Sequence, residues 1–107
     1  MIRFPLALAA SLLAAPAAAG TPGSCAVIRD VASATMNARQ NGVSREFMQA
    51  AAKKTAIDDV SVYGALMVLI DGAFDVPLVD TPEQKRIVTD LFGTVIYDTC
   101  MKDGEPA

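Results

Sequence analysis

The sequence predicts an all-α fold, four helices in an up-down bundle closed by one disulfide. Three observations carry this expectation. No strand-like alternation persists anywhere, while apolar residues recur at helical spacing in four segments. Each segment is bounded by capping and turn chemistry. The only two cysteines, Cys25 and Cys100, lie near the two ends of the helical region.

The first residues read as a leader rather than as part of the fold. Met1-Ile2-Arg3 is a short basic start, and Phe4 to Ala15 is apolar apart from Ser11. Pro16 interrupts this run, and Ala17-Ala18-Ala19 supplies the small residues that signal peptidase requires. The sequence therefore predicts cleavage after Ala19, a single helical domain over residues 20–107, and a periplasmic or secreted location. After cleavage the longest apolar run is Ala65 to Ile70, far short of a membrane span.

The first helix is expected from about Ser24, with Ser24 as its cap, to Gln40. Gly42 suits the left-handed residue that closes a helix, with Val43 as the apolar residue beyond it. The second starts after Ser44 and ends near Lys54, with Val43 and Met48 at the positions of a hydrophobic staple. Asp58 is expected to cap the third helix, Ile57 and Val62 to staple it, and Phe74 to end it. Asp75-Val76-Pro77 forces extended chain, because the residue before proline is pushed out of the helical region. Thr81-Pro82-Glu83-Gln84 is the strongest local signal. It combines a capping threonine, a proline at the first helical position and a glutamine three residues after the cap. The fourth helix then runs to about Met101.

Helical wheels place Ile28, Val31, Ala32, Thr35 and Met36 on one stripe of the first helix, with Cys25 at its border. Val88, Leu91, Phe92, Val95, Ile96 and Thr99 form the stripe of the fourth, with Cys100 at its edge. The third helix has the widest apolar arc and is expected at the centre. The second offers only Phe47, Met48 and Ala51. Short connections make sequential helices antiparallel, which brings the end of the fourth beside the start of the first. Cys25 and Cys100 then meet as a structural disulfide, the staple that a small domain gains from most.

Composition narrows the function. The formal net charge is −3, which argues against a nucleic-acid partner. The chain contains no histidine, which removes the commonest general base and every Ser-His or Cys-His pair. Two thiols without histidine make half a zinc site, and no Cys-x-x-Cys spacing is present. The expectation is therefore a protein with no catalytic residues, metal or cofactor. Asp71, Asp75, Asp80 and Glu83 form an acidic corner without the spacing of an EF-hand loop, and turn and cap duty accounts for them.

Two features go beyond a plain bundle. Arg39 falls on the apolar stripe of the first helix, either snorkelling its head to water or a last-turn carbonyl, or anchoring an acidic partner group. On the fourth helix Tyr97 lies off the core stripe, on the side of Arg86, Asp90 and Gly93. A mid-helix glycine costs about 1 kcal/mol relative to alanine, so Gly93 implies a close approach, with the first helix as the simplest neighbour. Ser61, Gly64, Ala65 and Gly72 form a similar small-residue side on the third helix. Arg39, Arg86, Asp90 and Tyr97 are the candidate partner-binding residues.

The string Ala34 to Gly42, then Ala73-Phe74-Asp75-Val76-Pro77, then Phe92 with Tyr97 and Cys100, resembles a pattern in small exported bacterial helical proteins of unknown function. In architecture alone the chain is also similar to periplasmic acid-stress chaperones, which carry one disulfide between helices. Its cysteine spacing departs from theirs, so no residue role is transferred. The expected role is a non-catalytic interaction module engaging another exported protein, chaperone-like or partner-inhibiting. The alternatives are a small-ligand or cation carrier and a hydrolase acting through carboxylates.

Overall fold

The computed structural model describes residues 21–103. The expected leader, its expected cleavage point and the last four residues lie outside that range. The described residues form four helices and no strand: α1 (Pro22–Gln40), α2 (Arg45–Thr55), α3 (Val60–Phe74) and α4 (Pro82–Asp103).

Cap chemistry sets the boundaries. α1 begins at Pro22 rather than near Ser24. The Thr21 hydroxyl caps it, accepting from the Ser24 amide at 3.2 Å, with proline in the first turn. This is the same Thr-Pro signature that starts α4, where the Gln84 amide donates to the Thr81 hydroxyl at 3.1 Å. There the Gln84 side chain accepts in return from the Thr81 amide. At the other end of α1, Gly42 has φ +89°, and the amides of Gly42 and Val43 donate to the carbonyls of Arg39 and Ala38. That pair of bonds is a Schellman closure, and it requires a residue at ease with positive φ. Ser44 caps α2 as expected. Asp59, not Asp58, caps α3, its carboxylate accepting from the Val62 amide at 3.1 Å. The one-residue shift takes Ile57 and Val62 out of staple register, and Ile57 stays exposed.

α1 packs along α4, α2 packs against α3, and α3 packs against α1. The α1–α4 pair is the most extensive, and the Cys25–Cys100 disulfide joins its ends with the two Cα atoms 5.6 Å apart. Cys25, Ala32 and Met36 of α1 are fully buried. The centre therefore belongs to α1, which touches both α4 and α3, and not to α3 as its apolar arc predicts. A second cluster forms where Met48 and Ala52 of α2 meet Ile70 of α3, with Val43, Tyr63, Leu66, Met67 and Phe74 packed around it. Phe47 and Ala51, expected on the inner face of α2, are exposed.

α4 is rotated from its expected setting. Its apolar stripe centres on Val88, Leu91 and Val95. The face turned to α1 carries Gly93, the buried residue of this helix, about 140° round from Val88. An added Cβ at Gly93 would overlap the Ser33 hydroxyl and lie 3.3 Å from the Arg29 carbonyl oxygen. The absence of a side chain is what lets the two helices approach, as the sequence implies. Leu91 and Val95 are left 59% and 52% exposed. Of the two glycines on the small-residue side of α3, an added Cβ at Gly72 would lie 3.4 Å from the Phe92 ring, while one at Gly64 would meet nothing within 4 Å.

Candidate functional site

A groove of about 640 Å³ opens between α1, α3 and α4. Val27, Ile28 and Val31 line the α1 side. Val62, Ala65, Leu66, Val68 and Leu69 line the α3 side, and Ile96, Thr99 and Cys100 the α4 side. Geometry explains the opening. The C-terminal half of α3 is buried at Leu69, Ile70 and Ala73, whereas Ser61, Val62 and Ala65 of its first turns are exposed. The wedge left between the helices lies towards the disulfide end. Its walls are almost wholly apolar, and the Thr99 hydroxyl is already engaged in donating to the Val95 carbonyl at 2.9 Å. Asp103 is the one charged residue among the lining side chains. The rim stays wet: Val27, Val62 and Val68 are 62%, 42% and 68% exposed.

The opposite end of α1 is a polar clamp. Gln40 is buried. Its amide nitrogen donates to the Pro77 carbonyl at 3.0 Å, and its carbonyl oxygen accepts from the Val79 amide at 2.9 Å. Arg39 donates from Nε and Nη2 to the Val76 carbonyl at 3.3 and 3.1 Å. Its guanidinium lies 4.5 Å from the Phe74 ring centroid, and that of Arg45 lies 5.1 Å from the same ring. The extended segment before α4 has no helical partners for its backbone groups, and these two side chains of α1 supply them. The two longer strings of the resemblance, residues 34–42 and 73–77, meet here.

The structure places the four candidate partner-binding residues in different settings. Arg39 is half-buried and bonded within the clamp. Its head reaches the Val76 carbonyl of the α3–α4 connection, rather than water or a last-turn carbonyl of its own helix. Arg86 and Asp90 form an exposed i,i+4 ion pair at 3.4 Å, a type that contributes about 0.3–0.5 kcal/mol. Tyr97 is half-buried at the α1–α4 contact, with the Arg29 guanidinium 5.3 Å from its ring centroid. In the acidic corner, the Asp71 carboxylate pairs with Arg45 at 3.3 Å. Among the described residues no three acidic or cysteine side chains are grouped to hold a metal ion.

Sequence reasoning missed both the groove and Gln40. The signal for the groove was present. α3 is apolar over more of its circumference than one packing face needs, and that surplus is the groove wall. Gln40 carries no local signal, because its partners lie 37 and 39 residues away.

No protein-family model, curated protein or solved structure matches the chain.

Proposed function

We propose that this chain is an exported, single-domain, non-catalytic binding module that engages another exported protein through the groove between α1, α3 and α4. The observation that carries the reading is the groove itself, apolar on three helical walls and continuous with exposed valines on its rim. Such a patch on a small protein marks an interaction surface. A chaperone-like hold on an exposed apolar segment is one form this role takes. Export is supported by the leader-like residues 1–19 and by the disulfide, which suits an oxidising compartment. No described helix is long and apolar enough to cross a membrane.

An up-down-up-down course is part of the proposal. In its favour, the end of α1 is bonded to the segment just before α4, while the start of α1 is bonded to the end of α4. A carrier of small apolar molecules is the second reading, because the volume falls within the usual range of ligand pockets, roughly 300–1,000 Å³. The exposed rim favours the protein partner, since a small molecule sunk in the groove leaves those valines in water.

The experiment is a pull-down from the native periplasmic extract with the oxidised protein and with its Val68→Gln variant, read by mass spectrometry. Val68 is exposed, so the variant retains the fold. A protein retained by the parent and lost from Val68→Gln supports the reading. Equal retention by both moves the interface elsewhere, and a heat-stable small molecule released from the parent supports the carrier.

A further inference from the structure

Resting on the reading of the groove as a binding surface, we propose that its occupant is an amphipathic helix of another polypeptide, with a basic residue at the end that lies against Asp103. Size and shape point to a helix. A volume of about 640 Å³ is about four times that of a cavity that holds one benzene, roughly 150 Å³. It accommodates about four large apolar side chains, the set an amphipathic helix presents at i, i+3, i+4 and i+7. The walls are themselves helices, and a fourth helix laid between α3 and α4 packs against both by the ordinary ridge-and-groove rules. The rim requires something wider than the floor. Val27, Val62 and Val68 are covered only by a body that overhangs the groove, and a helix roughly 10–12 Å across does so.

Charge selects among helices. Asp103 is the one charged side chain in the lining, and Asp59, two residues before the lining residue Ser61, caps α3. A basic side chain completes this arrangement and an acidic one is repelled. The same charge disfavours a second copy of the chain, since a two-fold contact apposes a patch to itself and brings acidic mouths together. It also disfavours an anionic membrane surface.

The test uses the oxidised protein and three labelled eighteen-residue peptides. One has leucine at i, i+3, i+4 and i+7 with lysine elsewhere. The second is its scrambled version, and the third has glutamate for lysine. Fluorescence anisotropy is expected to show the patterned lysine peptide binding at least tenfold tighter than the other two. Val68→Gln and Val62→Gln are expected to weaken it tenfold, and Asp103→Asn about fivefold. Asp98→Asn, the same charge change outside the groove, is expected to leave it within twofold. Equal binding of the lysine and glutamate peptides, both lost in Val68→Gln, overturns the charge inference and keeps the groove as a binding surface. Equal binding of the scrambled peptide overturns the helix, and no binding of any peptide overturns the proposal outright. Sedimentation showing a dimer that Val68→Gln dissolves, or retention on anionic vesicles lost in the same variant, assigns the groove to those occupants instead.

Discussion

Replacing Gly93 by alanine tests the α1–α4 contact, and replacing Gly64 by alanine supplies its control. Both are glycines inside helices, and alanine is favoured there by about 1 kcal/mol when nothing opposes the methyl group. A Cβ added at Gly64 would meet nothing within 4 Å outside its own helix backbone, so Gly64→Ala is expected to stabilise the protein by about 0.5–1 kcal/mol. At Gly93 the same methyl meets the Ser33 hydroxyl, the Arg29 Cγ and the Arg29 carbonyl oxygen. The Ser33 side chain can turn away, but the carbonyl belongs to the α1 backbone and yields only if the helices separate. Overpacking of this kind costs roughly 1–3 kcal/mol. Set against the helix-propensity gain, Gly93→Ala is expected to lose about 0–2 kcal/mol. The two variants therefore differ by about 0.5–3 kcal/mol and should melt apart by roughly 2–24 °C, given about 4–8 °C per kcal/mol for a domain of this size. Thermal and urea unfolding of the oxidised protein, followed by circular dichroism at 222 nm, measures both. Adding Ser33→Ala to Gly93→Ala should recover part of the loss but not all, because the carbonyl remains. If Gly93→Ala stabilises as much as Gly64→Ala, the close helix crossing is wrong, and with it the rotation assigned to α4.

Replacing Cys25 and Cys100 by serine should cost about 4–5 kcal/mol, the loop-closure value for a sequence separation of 75, and thiol titration of the denatured, unreduced parent should find no free sulfhydryl. Gln40→Ala removes bonds to both Pro77 and Val79 and leaves their backbone groups partly buried without partners; a loss of about 2–4 kcal/mol in urea unfolding is expected. Tyr97→Ala should lower the melting temperature through lost contact with α1 and Arg29, whereas Arg86→Ala should change it by less than about 0.5 kcal/mol equivalent, because its ion pair is exposed on both sides. An unchanged melting temperature for Tyr97→Ala, joined to loss of a retained partner, would return Tyr97 to the binding surface.

What could be read from the sequence was local. The Schellman closure at Gly42, the Ser44 cap, the Thr81-Pro82 start and the helix count all follow from chemistry within four residues of each boundary. The pairing of Cys25 with Cys100 was also legible, because only two cysteines exist to pair. Thr21-Pro22 carried the same message as Thr81-Pro82, and Ser24 was a weaker competitor for it. Orientation was less accessible. A helical wheel finds the most apolar side of α4, but the neighbour is chosen by where a backbone can come close, and Gly93 outweighs Leu91 and Val95 in that choice. On α3 the apolar surplus was visible, yet a wheel cannot separate residues buried by their own chain from residues left for another. Arg39 was recognised as out of place on its stripe, while the carbonyl that satisfies it lies 37 residues onward and leaves no trace at short range.

The α1–α4 pairing also has a consequence for the order of assembly. α2 and α3 are joined by a short turn, so their cluster of Met48, Ala52 and Ile70 closes from neighbouring sequence. Of α1 only Ala38 joins that cluster. Arg29 and Ser33 wait for Gly93, and Cys25 waits for Cys100, at the far end of the described chain. Contacts of that separation form late, because the chain between them must first be brought to a close. The helix synthesised first is therefore completed last, and a nascent chain stopped before α4 carries a finished hairpin beside an α1 whose central face is still open to water.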